Sequence, residues 1–178
     1  MSEPESSSPS RPVRSGQRGV VLLADDEDAI RWVSRRFLEA DGWAVLEATD
    51  GLEALHIIGS LTGRLDLVIT DLNMPRVTGR ELAEVLSVFR PGLPVLGVTG
   101  FLSAVTHDRR LPILPKPFTA GRLLQAVRMA CGLSMRLRPP VMENRRRARR
   151  LRELTPAGAE RPVDLVAAVH FLRGIEVG

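Results

Sequence analysis

Apolar and polar residues follow two alternating periods along residues 19–131. Short, mostly apolar runs of four to six residues alternate with longer stretches in which apolar residues recur every three or four positions. The short runs are typical of buried strands, and the longer stretches are typical of helices with one apolar face. The pattern predicts strands at residues 20–24, 43–48, 65–70, 94–99 and 111–114. It predicts helices at residues 28–40, 51–61, 79–89 and 119–130.

This alternation of strands and helices predicts an α/β fold in which helices cover both faces of a parallel sheet. We expect right-handed crossovers and a flavodoxin-like, doubly wound sheet of five strands in the order 2-1-3-4-5. In that order the first and third strands are neighbours. Ligands of such sheets bind beyond the carboxyl ends of the strands, so that edge is where functional residues are expected.

Polar residues stand at the carboxyl ends of four predicted strands. Asp25 and Asp26 directly follow the first strand, and Asp71 follows the third. Thr99 ends the fourth strand, and Lys116 follows the fifth. All five residues therefore fall on one edge of the sheet, and the sequence predicts that three carboxylates meet in one crevice there.

Lys116 is distinctive because it is the sole lysine among the 25 Lys and Arg residues of the chain. Lysine carries a compact ammonium on an unbranched stem, whereas arginine carries a broad planar fork. A chain that uses arginine at every other basic position therefore indicates a specific need at this one. We interpret Lys116 as a side chain that reaches into a narrow space to meet negative charge.

Three neighbouring carboxylates repel one another and raise their pKa values unless a cation joins them. A small set of oxygen ligands suits Mg²⁺, which keeps several waters and prefers carboxylates together with a phosphate. No His or Cys follows a predicted strand, so the pattern does not indicate zinc. An aspartate can itself accept a phosphoryl group as an acyl phosphate, and Asp71 is the best candidate because it is the lone acid of its loop.

The motifs at these strand ends resemble those of the receiver domain of two-component response regulators. They are Asp25-Asp26 with Glu27, Asp71 within Thr-Asp-Leu-Asn-Met-Pro, Gly79, Thr99-Gly100 and Lys116-Pro117-Phe118. They occur in the expected order, and the resemblance covers residues 19–131. The resemblance implies a phosphorylation-dependent signalling module rather than an enzyme. Its implied partners are a sensor histidine kinase or histidine phosphotransferase and a downstream protein that the sequence does not identify.

The resemblance also implies a role for each site residue. Asp71 is expected to accept a phosphoryl group from a phosphohistidine of the partner. Mg²⁺ is expected to bind Asp26, Asp71 and the backbone carbonyl of Asn73, with Asp25 acting through a metal-bound water. Lys116 is expected to pair with the phosphoryl oxygens. Thr99 is expected to move inward, donate a hydrogen bond and so report the modification to the surface.

Two features depart from the family pattern. Ile113 stands three positions before Lys116, where the family often has an aromatic residue that rotates inward on activation. The segment between Thr99 and Lys116 is also shorter than in most receivers. Residues 101–110 are therefore expected to hold a shortened or irregular fourth helix, and the usual output face is expected to be remodelled.

Composition places this domain between two tails. Residues 1–18 are rich in Ser and Pro and are predicted to be a disordered leader. Residues 19–130 carry twelve basic and fourteen acidic side chains, whereas residues 131–178 carry ten basic and five acidic ones. The single cysteine, Cys131, excludes an internal disulfide and fits a reducing cytoplasm. No apolar run approaches the roughly 18 residues of a membrane helix, so no membrane partner is expected.

The tail, residues 132–178, has two notable segments. Residues 143–154 contain six arginines, which suit a contact with nucleic-acid phosphates, an arm for an acidic partner or a solvated basic linker. Residues 162–172 carry apolar side chains at helical spacing. They are Leu165, Val166, Val169 and Leu172. This short amphipathic helix is predicted to pack on the domain or on a second subunit.

Three functions follow from these observations. A stand-alone receiver would bind a kinase or phosphotransferase and change its own partner-binding surface. A transcription regulator would instead use the arginine-rich tail to bind DNA, with steep salt dependence. A phosphohydrolase that forms an aspartyl phosphate fits less well, because Asn73 stands where such enzymes carry a second acid. The first function is the preferred one.

Overall fold

The computed structural model describes residues 18–100, 111–136 and 169. Its strands are β1 (Gly19–Ala24), β2 (Trp43–Ala48), β3 (Leu67–Asp71), β4 (Val95–Thr99) and β5 (Ile113–Pro115). Its helices are α1 (Asp28–Ala40), α2 (Gly51–Ser60), α3 (Gly79–Phe89) and α4 (Ala120–Arg136). The predicted leader up to residue 17, the segment 101–110, the arginine-rich part of the tail and all of the predicted helix 162–172 except Val169 lie outside these residues. Within the described chain, no helix is long and apolar enough to span a bilayer.

The five strands form one parallel sheet in the order β2-β1-β3-β4-β5, which confirms the predicted topology. The register pairs Ala24 of β1 with Thr70 of β3. Consequently Asp25, which follows β1, and Asp71, which ends β3, lie side by side at the carboxyl edge. On the side of β3 opposite to β1, Thr99 at the end of β4 pairs with Pro115, which directly precedes Lys116. The register alone thus brings the predicted site residues together.

The two faces of the sheet bury separate apolar clusters. On the α2–α3 face, strand side chains pack against Ala54 and Ile58 of α2 and Leu82 and Val85 of α3. Val169, far along the chain, is buried in the same cluster. On the α1–α4 face, the second cluster packs residues of the sheet against α1 and α4. Its helix members are Leu38, Leu123, Val127 and Ala130.

Side-chain caps stabilise the starts of α2 and α3. The Asp50 carboxylate accepts a 2.9 Å hydrogen bond from the backbone N–H of Glu53 at the start of α2. Thr78 and Glu81 form a reciprocal capping box at the start of α3. Gly79 follows at once, and a Cβ there would overlap the carbonyl oxygen of Asp71. The glycine therefore allows α3 to start directly against the strand end that carries Asp71.

Three elements differ from the sequence prediction by two residues or more at one end. Strand β3 starts at Leu67 rather than at residue 65, and β5 spans Ile113–Pro115 rather than 111–114. Helix α4 runs to Arg136, beyond the predicted end at residue 130. Gly132 lowers helix propensity but does not stop the helix, and the first strong breaker after it is the Pro139-Pro140 pair. The bounds predicted for α1, β2 and α3 are confirmed.

Candidate phosphoacceptor site

Three carboxylates converge at the carboxyl edge of β1 and β3. One oxygen from each of Asp25, Asp26 and Asp71 lies within 4.8 Å of the other two. Asp25 and Asp71 are buried, whereas Asp26 is exposed at the mouth of the crevice. The donor set consists of oxygens alone, one of them facing solvent, and this is the chemistry expected of a Mg²⁺ site.

The Lys116 ammonium lies within this group of acids. Its Nζ is 2.5 Å from Asp71 Oδ2, 2.9 Å from Asp25 Oδ2 and 3.0 Å from Glu27 Oε1. The backbone holds the lysine in place, because Lys116 N–H donates a 2.7 Å hydrogen bond to the carbonyl oxygen of Thr99. The Lys116 side chain is 10% exposed and contacts three acids. This is the placement predicted for a lysine that reaches into a narrow, negatively charged space.

Burial and hydrogen bonding act in opposite directions on these groups. Burial raises the pKa of Asp25, although hydrogen bonds from Lys116 and from the Glu27 N–H work against that rise. Burial alone would lower the pKa of Lys116. Hydrogen bonds to Asp71, Asp25 and Glu27 outweigh that effect and raise the pKa of Lys116. The ammonium therefore stays charged at neutral pH, as an electrostatic partner for the crevice requires.

The loop after β3 holds the Asp71 carboxylate from its other side. The backbone N–H of Asn73 donates a 2.8 Å hydrogen bond to Asp71 Oδ1. The two oxygens of Asp71 thus have different donors, a backbone amide on Oδ1 and the Lys116 ammonium on Oδ2. The Asn73 side chain extends across the crevice, where its Nδ2 donates a 3.1 Å hydrogen bond to Thr99 Oγ1. The fully buried Thr99 is therefore linked to the loop that carries Asp71.

Glu27 is the site residue to which sequence reasoning assigned no role. Its backbone N–H donates a 2.9 Å hydrogen bond to Asp25 Oδ1, and its carboxylate reaches Lys116. The side chain is 61% exposed, so this contact can be exchanged for solvent far more readily than those of Asp25 or Asp71. The sequence signal that could have identified Glu27 is its position directly after Asp25 and Asp26. Ile113 lies half-buried in β5. The absence of an aromatic switch at this position stays a prediction.

Comparison with known proteins agrees with this geometry. A family model described as the response regulator receiver domain matches residues 21–128. Sensor kinase CckA of Brucella abortus is 36% identical over 113 residues, which cover 61% of this chain and 12% of that protein. Response regulator MprA of Mycobacterium sp. (strain KMS) is also 36% identical over 113 residues, covering 61% of this chain and 48% of that protein.

A solved receiver structure is also similar to this chain. Response regulator TrrA of Thermotoga maritima, crystallised in complex with Mg²⁺-BeF, is 27% identical, with a TM-score of 0.56. The match covers 63% of this chain and 98% of that structure. The chain thus spans almost the whole length of a receiver structure but less than half of the curated relatives described above. The family model matches residues 21–128, so the likeness that it shows concerns the domain.

Proposed function

This chain belongs to the response regulator receiver domain family, and on that premise we propose that Asp71 is its phosphoacceptor. A phosphohistidine on a sensor histidine kinase or histidine phosphotransferase is the proposed donor. The observation that carries the proposal is the placement of the Lys116 ammonium between Asp71 and Asp25, with Asp26 beside them. The modified domain then presents an altered surface to a downstream protein.

The transfer is a substitution at phosphorus. An oxygen of the Asp71 carboxylate forms a bond to phosphorus, and the bond between phosphorus and the imidazole nitrogen of the donor breaks. The electron pair of that bond stays on the imidazole, and an acyl phosphate forms on Asp71. The backbone N–H of Asn73 orients the carboxylate through its 2.8 Å hydrogen bond to Oδ1. Burial of Asp71 limits the access of water to the attacking group.

Mg²⁺ is the proposed cofactor, because the acidic cluster offers hard oxygen ligands at suitable separations. Asp26, Asp71 and the backbone carbonyl of Asn73 would hold the ion directly, and Asp25 would act through water. When bound, the ion supplies positive charge that offsets the charge developing on the phosphoryl oxygens. The likeness to a structure crystallised with Mg²⁺-BeF supports this assignment.

Lys116 and Thr99 respond to the new charge in this proposal. The phosphoryl oxygens replace the Asp71 carboxylate as the partner of the Lys116 ammonium. The Thr99 hydroxyl, which accepts a hydrogen bond from the Asn73 amide in the unmodified protein, instead donates to a phosphoryl oxygen. Its displacement would pass the change from the crevice to the adjoining end of β4.

The proposal is tested by intact mass after incubation of the full chain with Mg²⁺ and acetyl phosphate. The native chain should gain one phosphoryl group, and neither Asp71→Asn nor a sample treated with EDTA should gain one. Beryllofluoride binding is measured in parallel, because it detects a working site even in a chain that accepts a phosphoryl group only from a kinase. A native chain that neither gains mass nor binds beryllofluoride would overturn the proposal, as would an undiminished gain in Asp71→Asn.

A second candidate function, DNA binding, is favoured by the ten basic and five acidic residues of 131–178. Phosphate contacts by the arginines at 145–152 would make the affinity fall steeply with salt. Replacing these arginines with Gln should remove most of that salt dependence if DNA is the partner. Equal, weak binding by the native and substituted chains would exclude this function.

A further inference from the structure

Val169 lies far from the domain in sequence but within its core in space. The residue is helical, is 2% exposed and belongs to the apolar cluster of the α2–α3 face. The last residue of α4 is Arg136, so a long connection brings Val169 back to the domain. A valine buried to this degree contributes as much apolar contact as a core position of the domain itself.

The crossovers on the α2–α3 face of the sheet differ in length. Right-handed crossovers place α2, α3 and the connection between β4 and β5 on the same face of the sheet. The β3–β4 connection spans residues 72–94, whereas the β4–β5 connection spans only residues 100–112. Parallel strands normally need a crossover of a dozen or more residues, usually a helix. The β4–β5 connection, at thirteen residues, is close to that minimum and is ten residues shorter than the β3–β4 connection.

The sequence around Val169 has the pattern of a helix that packs through one apolar face. Leu165, Val166, Val169 and Leu172 recur at helical spacing and form one apolar stripe. At the margin of the cluster, Leu52, Ile57 and Phe89 are only partly buried. An apolar stripe that meets these side chains removes additional apolar surface from water, which favours docking.

We propose that residues 162–172 dock on the α2–α3 face of their own chain through an apolar stripe centred on Val169. The connection, residues 137–161, can extend to about 80 Å, far more than the roughly 30 Å needed to pass around a helix-covered sheet. A tether of this kind gives an effective concentration on the order of millimolar. A second copy of the chain would match that only at similar protein concentrations, so docking occurs within one chain.

This arrangement changes the nature of the arginine-rich segment. It becomes a loop that is fixed at both ends, by α4 at one end and by the docked segment at the other. The arginines are then presented close to the domain instead of at the end of a free tail. Docking therefore joins the domain and the tail into one folded unit.

Hydrogen exchange of the full chain tests the proposal, with Val169→Ala and Val169→Asp as the variants. Ala167→Asp is the matched control, because residue 167 falls on the opposite side of the predicted helix. Val169→Ala should speed exchange in α2 and α3 by about tenfold, with α1 and α4 much less affected. Ala167→Asp should exchange like the native chain. Sedimentation of each sample gives its oligomeric state.

Two results would overturn the proposal. The first is unchanged exchange in α2 and α3 for Val169→Ala. The second is protection of these helices that rises with protein concentration alongside dimer formation, because docking would then occur between copies. If Val169→Asp loses protection throughout the chain, Val169 is part of the intramolecular core, and the milder alanine variant shows which face it supports.

Discussion

Strand β3 has an aspartate at each end, and the two side chains have different surroundings. Asp66 precedes the strand, and its side chain is 12% exposed; Asp71 ends the strand, with 7% side-chain exposure. Asp66 accepts a 2.9 Å hydrogen bond from the backbone N–H of Val20 and pairs with the exposed Arg64. Asp71 instead shares an ammonium with a second buried carboxylate.

Burial therefore does not distinguish the structural carboxylate of Asp66 from the proposed phosphoacceptor, Asp71. Their surroundings distinguish them. The donors of Asp66 are one backbone amide and a solvated arginine, and they join β1 to the start of β3. Asp71 lies beside two other acids, with Lys116 held among them, so any charge added or removed there changes every partner. We therefore expect substitutions at the two ends of β3 to have opposite signatures.

The largest expected effect is the loss of phosphorylation in Asp71→Asn, because the amide cannot form an acyl phosphate. The fold should persist, since the asparagine retains an oxygen for the Asn73 N–H and relieves repulsion with Asp25. Incorporation of phosphoryl from acetyl phosphate and circular dichroism check the two halves. Loss of the fold would mean that Asp71, like Asp66, is chiefly structural.

Lys116→Arg should lower the rate of phosphorylation by roughly tenfold or more, despite unchanged charge. The 10% exposed ammonium contacts three carboxylates in a confined space, and a planar guanidinium is too broad for that position. The rate from acetyl phosphate under saturating Mg²⁺ provides the measurement, and Arg122→Lys at an exposed position of α4 is the control. If Lys116→Arg were phosphorylated at the native rate, the confined space would not explain why this position carries a lysine.

Asp66→Asn should show the opposite signature to Asp71→Asn. The variant weakens a charge-assisted hydrogen bond to Val20 and an ion pair with Arg64, so stability should fall by about 1 kcal/mol. Phosphorylation should be retained. Urea unfolding gives the stability, and the acetyl phosphate assay gives the activity. A strong loss of phosphorylation without a loss of stability would erase the distinction between the two strand ends.

The smallest expected effect concerns pH. Because burial raises the pKa of Asp25 above its ordinary value of 3.8, the folded state favours the protonated form. The stability from this group is complete below pH 3.8 and is lost as the pH rises through the raised value. Asp25→Asn should therefore raise the melting temperature at pH 7, with the difference shrinking under acidic conditions, and should weaken Mg²⁺ binding. A lower melting temperature at pH 7 would contradict this sign.

Much of the site could be predicted because parallel strands align their carboxyl ends. Placing Asp25, Asp71 and Thr99 at one edge required only the strand ends and the strand order, and the strand order was confirmed. The contact between Glu27 and Lys116 could not be predicted, because it depends on the turn that Asp25 makes with the Glu27 N–H. Asp66 was missed for a similar reason, since a backbone partner leaves no mark in the sequence.

The tail marks a second boundary of sequence reasoning. Helical spacing predicted the apolar stripe around Val169, but it left open whether the domain or a second subunit received it. The burial of Val169 in the apolar cluster of the α2–α3 face could not be predicted from that spacing, because it depends on residues distant in the chain. The end of α4 was predicted too early, because one glycine does not outweigh the flanking helix-forming residues.

The most direct test of the account locates the phosphoryl group. The native chain and Asp66→Asn are incubated with Mg²⁺ and acetyl phosphate, reduced with borohydride to fix the acyl phosphate position, and mapped by peptide mass. The account predicts reduction at Asp71 in both chains and at neither Asp25 nor Asp66. Reduction at another acid in place of Asp71 would contradict the central claim. That claim is that contact with Lys116 and two neighbouring carboxylates makes Asp71 the phosphoacceptor.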